Sequence, residues 1–448
     1  MSNIFKIRKG LDIKLLGEAE KTIKEIPTKV CAIKPPDFHG VFPKLLVQEG
    51  DEVKAGTPLF FNKYRDNIIF TSPVSGKVRE IRRGAKRVVL EVSVEAAPEQ
   101  EFVDFGIADP NSLDRAAVVE KMLKSGVWPI LRQRPYSIIA NPDDDPKAIM
   151  ISAFDSAPLA PGFAFIAKEE EKALQAGIDA LKKLTSGKVH MNISEKQSTS
   201  VFSKVTGVEL NTFSGPHPAG NVSTQINRIS PLNKGETVWY LRPQDVLSIG
   251  RLFLGGKLDP SRIIALTGSE VEKPQYYKTV LGAAIDEMIN GNIKDGKNRY
   301  ISGNVLTGTK IEKTGFVGFY DSQVSVIPEG DHYEFLGWGM PGLKKFSFYY
   351  TFFSWMTPRK KYRLDTNYNG GERAFILTGK FEQVFPLDIY PMQLVKSIMI
   401  EDIDAMENLG IYEVDEEDFA LCEFISTSKI NLQKTVRDGI DLMIKEMN

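Results

Sequence analysis

The sequence predicts an α+β multidomain chain, on three observations. Residues 28–95 carry turn signals about every 8–12 residues with β-branched runs between them, the pattern of a small all-β barrel or sandwich. Residues 107–205 alternate short apolar runs with amphipathic stretches, as an open α/β layer does. From Pro391 onward the apolar spacing is helical. A chain of 448 residues is also too long for one core. At roughly 100–200 residues per domain it holds about three or four. We divide it at 1–102, 103–256, 257–330 and 331–448.

In the first part, 41–47 is a strand closed by the turn Glu49-Gly50-Asp51. Gly56-Thr57-Pro58 turns the chain before Leu59-Phe60-Phe61, and 68–70 leads into Ser72-Pro73-Val74-Ser75-Gly76. The next part opens with a helix over 114–124, for which Ser112 is the expected N-cap. Strands follow at 138–140, 148–152, 164–166 and 189–193, with a charged amphipathic helix over 169–184 closed by Gly187. The segment 213–228, FSGPHPAGNVSTQINR, reads as a shaped loop, because its prolines remove donors and its glycines open positive φ. It precedes the apolar element 238–241. Then 262–267 is a strand and 277–290 a helix ended by Gly291. Residues 296–385 are β-rich and aromatic, and 391–399, 402–409, 416–424 and 432–446 are helices. No long repeat and no low-complexity linker separates these parts.

Composition narrows the function classes. The net charge of −1 excludes a globally basic nucleic-acid binder. Two distant cysteines, Cys31 and Cys422, exclude a disulfide scaffold, fit a reducing compartment and cannot hold an iron–sulfur cluster alone. No signal peptide and no run of about 18 apolar residues occurs, so the expectation is a cytoplasmic chain that meets a membrane through partners.

Few constellations carry chemistry. Residues 46–78 resemble a biotinyl/lipoyl-type domain, with Lys63 near the hairpin tip where such carriers are modified; its flanking residues match neither carrier motif. Lys77, Arg79, Arg82, Arg83, Lys86 and Arg87 form a basic run opposed only by Glu80, a solvated face or a docking site for an acidic partner or headgroups. No GxGxxG or GxxxxGK[ST] phosphate loop is read anywhere in the chain, the α/β stretch included. Asp155 and Ser156 at a strand end are its nearest substitute, and read more simply as turn caps. His39, His190, His217 and His332 are never spaced as a metal pair. His217, between two prolines, looks catalytic at first, yet it lacks a nearby carboxylate in sequence and Ser214 sits too close to be its nucleophile, so it reads as a hydrogen-bonded structural or interface residue. The aromatics Phe346, Phe348, Tyr349, Tyr350, Phe352, Phe353 and Trp355 precede Arg359, Lys360, Lys361 and Arg363. That mixture suits a membrane-associated interface; the plainer reading is a core-filling β-hairpin. Residues 401–423 are acid-rich without a base, and several acids sit at helix starts where the macrodipole favours them.

The ordered motifs GPHPAGN (215–221), QDVLSIGRLF (244–253), RIIALTG (262–268), ISGNVLTG (301–308), GWGMPG (337–342), FPLDIYP (385–391) and DEEDFALCEF (415–424) resemble the NqrA family of the sodium-translocating NADH:quinone reductases, over essentially the whole chain. The barrel and α/β core are similar, too, to the electron-transport C component of ferredoxin:NAD reductase and, more distantly, to the flavin-binding NADH subunit of complex I. The resemblance implies a barrel-sandwich domain (1–102), a Rossmann-like α/β domain (103–256), a ubiquitin-like (SLBB-like) module (257–330), and an aromatic β-rich segment with a C-terminal helical domain (331–448). It implies a peripheral position on the cytoplasmic face of the bacterial inner membrane, in a complex of six subunits, docked chiefly on the membrane-embedded NqrB. That complex uses NADH, flavins, iron–sulfur centres and quinone to export sodium.

The chain departs from the complex I relative where that protein binds flavin. The corresponding stretch is Lys124-Ser125-Gly126-Val127-Trp128-Pro129, where Trp128 would crowd a phosphate, and the cluster cysteines are missing, Ser426 standing where a second cysteine is common. The expectation is therefore a subunit without its own cofactor, catalytic residue or metal, supporting quinone reduction. His217, Gln225, Phe352 and Trp355 are the candidate quinone- or partner-facing residues, and Arg82, Arg83, Arg359, Lys360 and Lys361 the candidate basic docking residues. The alternatives are a quinone-binding subunit near the last electron transfer, a flavin- or NADH-binding dehydrogenase, and a carrier modified on Lys63.

Overall fold

The computed structural model describes residues 3–337, 339, 342 and 344–447. The motif GWGMPG therefore lies partly outside the described residues. Three β units and a helical region share the molecule.

The first unit faces a four-stranded sheet (Val30–Ile33, Val89–Ala96, Gly76–Arg83, Glu52–Val53) against a three-stranded one (Pro43–Leu45, Pro58–Asn62, Arg65–Thr71). Phe60, Phe70, Val78, Val92 and Val94 fill the space between them. Lys63 sits in the two-residue turn between paired Asn62 and Arg65.

A seven-stranded sheet dominates the second unit, in the order Asn3–Lys6, Glu209–Ser214, Lys188–Ser194, Ala148–Ser152, Val238–Leu241, Arg132–Arg134, Ile138–Ile139. The first five pair in parallel, and the last two are joined on by antiparallel pairings. Parallel strands buried on both faces read as continuous apolar runs. Accordingly Ile149, Ile151, Trp239 and Leu241 pack on one face, and Ala148, Met150, Val238 and Tyr240 on the other. The helices Glu171–Lys182 and Pro243–Gly255 cover the first face and touch through Gly177 and Gly250; a Cβ on Gly250 would lie 1.8 Å from the Ala173 carbonyl oxygen. The helix Val222–Ile229 covers the other.

The third unit is a six-stranded sheet, Thr309–Ile311, Asn298–Ser302, Gln323–Pro328, Ser261–Thr267, Gln275–Val280, Glu20–Glu25. The C-terminal helices Pro391–Met399, Ile403–Asn408, Ala420–Ile425 and Leu432–Met447 enclose Leu394, Met406, Phe419, Cys422 and Val436, and Ile13 and Leu15 join that core.

Several expectations change. The first residues, expected in the barrel, supply edge strands to the other two sheets. The cap of helix Arg115–Lys124 is Asp114, whose carboxylate accepts from the Ala117 N–H at 2.8 Å; Ser112 ends the preceding turn. Residues 164–166 belong to the short helix Phe163–Ile166, since a brief apolar run has no period to separate strand from helix. The loop expected over 213–228 is confined to 215–221: Phe213 and Ser214 end the strand Glu209–Ser214, and Val222–Ile229 is a helix. Residues 277–290 are mostly strand: Gln275–Val280 pairs along Ser261–Thr267, and Gly282 breaks any helix at φ +66° against the Ala32 carbonyl. Only Asp286–Ile289 is helical. Residues 346–385 hold no strand among the described residues, so the aromatic segment is not a hairpin.

Candidate functional site

In a parallel sheet, ligands bind beyond the carboxyl ends of the strands where the strand order reverses direction. Here that point lies between Ala148–Ser152 and Val238–Leu241, because the order runs outward from the first through Lys188–Ser194 to Glu209–Ser214 and then returns to its other side at Val238–Leu241. Side chains occupy it. Arg242 sends Nη1 to Ser152 Oγ and the Phe154 carbonyl, both at 3.1 Å, and Nη2 lies 3.6 Å from Asp155. Gln225 is fully buried; its Nε2 donates to Ser152 Oγ at 2.9 Å and to the Gly220 carbonyl at 3.3 Å. Its Oε1 accepts from Asn192 Nδ2 at 3.0 Å, and Asn192 Oδ1 accepts from Asn211 Nδ2 at 3.0 Å. A nearly saturated network of neutral amides and one guanidinium thus spans four strand ends.

The loop 215–221 closes over this network. His217 is 4% exposed. Its Nδ1 lies 3.0 Å from Ser156 Oγ, which also accepts the Gly220 N–H at 2.7 Å. The His217 N–H donates to Asp12 at 2.9 Å, and its carbonyl accepts from the Leu11 N–H at 2.8 Å. Gly215 (φ +132°) is required here, since a Cβ would lie 2.2 Å from the Ile7 carbonyl oxygen. Burial pulls the imidazole down to about 4, against the opposing pull of Asp155 and Asp12. At neutral pH His217 is an uncharged hydrogen-bonding group. A serine partner at Nδ1 and no carboxylate bonded to the ring among the described residues is not the geometry of a catalytic triad.

Asn221 ends the loop and links it to a second cluster. It is the N-cap of Val222–Ile229, yet its side chain makes no cap bond. Instead Nδ2 approaches the Glu417 carbonyl and Asp418 Oδ1, each at 3.5 Å. Asp415, Glu416, Glu417 and Asp418 stand here against buried Arg134, which lies 2.6 Å from Asp415 and 3.0 Å from Glu417. Arg437 approaches Glu416 at 3.3 Å, and His39 reaches Glu416 at 3.1 Å. Arg132 stacks on Tyr240 and Tyr320. Burial is the largest single influence on Asp415 and raises it, but Arg134, Arg437 and the hydrogen bonds with Glu416 and Ser137 together outweigh burial and hold the carboxyl well below the usual carboxylate range. Burial, then the Glu417 charge, pushes Asp418 up to about 7.

This ionic cluster escaped the sequence reading, which assigned the acids to helix starts. The available signal was DEED beside an apolar run: four adjacent acids about to be buried require cations. The spacing Gly337, Gly339, Gly342 was missed as well. It matches G-x-G-x-x-G, but among the described residues no strand runs into it and no helix follows.

The structure separates the four candidate interface residues. His217 and Gln225 meet around Gly220 but are buried. Phe352 is buried under Lys345, and only Trp355, 53% exposed and edge-on to Tyr350, faces outward. Among the basic candidates, Arg82 pairs with Glu91 at 2.7 Å, Arg83 bonds the Arg87 carbonyl, Lys361 pairs with Glu18 at 3.0 Å, Lys360 lies over Tyr362, and Arg359 is exposed. The histidines lie at separate sites, and no cluster of metal-ligating groups occurs among the described residues. Both thiols are buried, Cys31 being pushed up to about 12.

A flavin does not fit the stretch 124–129. Trp128 is completely buried, its Nε1 donates to the Ala140 carbonyl at 2.8 Å, and it packs edge-on against Trp239. A Cβ at Gly126 would already lie 2.3 Å from Thr71. A phosphate has no room beside those backbone amides.

Comparison with known proteins places these features in a family. Residues 5–97 match the NqrA N-terminal barrel-sandwich hybrid domain, 113–258 the NqrA second alpha/beta domain, and 263–313 the NQRA C-terminal domain. The chain belongs to the NqrA family. The A subunit of the Na(+)-translocating NADH-quinone reductase of Yersinia pestis bv. Antiqua (strain Angola) is 40% identical over 439 residues, spanning 97% of this chain and 98% of the relative. The corresponding proteins of Photorhabdus laumondii (38%, covering 99% and 100%) and Rhodopirellula baltica (37%, covering 99% and 99%) are similar along their whole length. Two solved NAD+-reducing [NiFe]-hydrogenase chains are 10% and 11% identical, with TM-scores of 0.36 and 0.39. This chain covers 55% and 63% of those chains. No described helix is long and apolar enough to cross a membrane.

Proposed function

We propose that this chain is the peripheral, cofactor-free subunit of a Na(+)-translocating NADH:quinone reductase, holding its shape for quinone reduction on a membrane partner. Family membership supplies the complex. The observation that carries the chain's own role is the filled switch point: Arg242, Ser152, Gln225 and Asn192 saturate one another where an α/β protein of Rossmann type would hold a nucleotide. Trp128 closes the alternative flavin position. Purifying the full chain and recording its visible spectrum tests this. A colourless protein without saturable NADH binding is expected; a yellow, flavin-retaining one overturns it.

The docking face toward the membrane partner, on this reading, is the exposed aromatic and basic surface of Tyr350, Trp355, Met356 and Arg359. Aromatic rings beside cations suit the boundary between a membrane and water. The same surface is where a quinone would touch this chain, because His217 and Gln225 have no exposed face. Photo-crosslinking a quinone analogue in the intact complex distinguishes the two: label on 350–356 supports a quinone contact, and label confined to other subunits leaves docking alone.

A further inference from the structure

We propose that the N-terminal edge of the seven-stranded sheet is a docking site for an extended, acidic peptide segment of a partner protein. Asn3–Lys6 is the outermost strand, and among the described residues no strand pairs with its outer edge. The Ile7 N–H donates inward to the Ser214 carbonyl at 2.8 Å. Because main-chain groups alternate along a strand, those of Ile4 and Lys6 point to the open edge. Proteins commonly blunt such edges, since an unpaired ladder recruits another strand.

The surroundings select the kind of strand. A cleft of about 540 Å³ runs beside the edge, with Phe5, Pro386 and Leu387 as its apolar walls. Lys6, Arg8 and Lys9 are exposed along it, and among the described residues no carboxylate pairs with any of them. Arg228 adds a fourth cation, tied to the Pro386 carbonyl at 3.0 Å, while Asp388 is the single acid in the lining. Ile4 stands 75% exposed, an apolar side chain with nothing over it. An added strand would use the edge for main-chain bonds, place acidic side chains among the three cations, and cover Ile4. A lipid surface would use the cations but leave the ladder unmade, so the observations favour a peptide.

This rests on the chain working inside a complex, but its test does not. The full-length chain is titrated into a fluorescein-labelled peptide of alternating Glu and Val, read by anisotropy. Saturable binding is expected, weakened about tenfold or more by the combined substitutions K6E, R8E and K9E, which remove the charge complementarity. Ile4→Pro deletes one outward N–H without changing charge and is expected to weaken binding severalfold. A Lys-Val peptide is expected to bind at least about tenfold more weakly than the Glu-Val one. Equal binding of the two peptides, or unchanged binding by the triple variant, overturns the proposal. So does triple-variant-sensitive binding to phosphatidylserine vesicles without peptide binding, which assigns the cations to a lipid surface. Absence of the chain from the purified complex would instead count against its proposed place in the reductase.

Discussion

The loop 215–221 meets two buried polar clusters at adjacent residues near its C-terminal end, Gly220 and Asn221, and the two are built from opposite materials. Around Gly220 the groups are neutral: Ser152, Ser156, Asn192, His217 and Gln225, with Arg242 at the rim. Around Asn221 they are ionic: four carboxylates against Arg134 and Arg437. The neutral cluster lies within one unit, at the ends of its strands. The ionic cluster joins two units, the antiparallel end of the sheet and the C-terminal helices. Neutral amides can satisfy each other locally. Buried charges must be matched, so each side is incomplete without the other. The loop thus couples the shape of the sheet to the docking of the helical region.

The sharpest way to break the comparison is to remove a cation. Arg134→Met leaves buried Asp415 and half-buried Glu417 without this partner, and is expected to cost about 3–5 kcal/mol in chemical denaturation. Loss of the C-terminal helices before the sheet, seen by hydrogen exchange, would accompany it. Gln225→Ala strands donors on Asn192 and opens a small void. Its expected cost is smaller, about 2–3 kcal/mol, with the units remaining docked. Equal costs with equal undocking would erase the distinction.

The pH response sharpens it further. His217 falls from 6.5 to about 4 on folding, so its contribution is present above the unfolded value and lost as pH falls toward 4. Asp418 rises from 3.8 to about 7, so its contribution is present below the unfolded value and lost as pH rises toward 7. The slopes oppose each other across the same window. His217→Gln is expected to remove an acid-side loss of about 3 kcal/mol. Asp418→Asn is expected to gain on the parent as pH rises through that window. Denaturation midpoints from about pH 4 to 8 check both signs.

The smallest effect is on the surface. Trp355→Ala is expected to change stability by less than about 0.5 kcal/mol, while reducing retention of the chain in the detergent-purified complex. Unchanged retention would remove Trp355 from the docking face.

Legibility followed the range of the forces. The turns at Gly50 and Gly56, the apolar strands at 148–152 and 238–241, and the late helices are local signals, and the sequence reading placed them. It lost 277–290, because a tertiary contact of Gly282 with Ala32 and pairing with 261–267 override a weak helical period. It placed His217 in a shaped loop but on the wrong side of the surface, since exposure depends on residues 7–12 folding across from the far end of the chain.

What the sequence determined by itself was membership of a family, the mixture of barrel, α/β layer and helices, and the lack of a phosphate loop in that layer. Those follow from residue types and short spacings. Only the tertiary structure decided that His217 in GPHPAGN is buried rather than partner-facing, that DEED pairs with Arg134, and that the first strand is an open, basic edge. Each depends on which residues distant in sequence are brought within a few ångströms, and burial and charge pairing have no signature in one strand of letters.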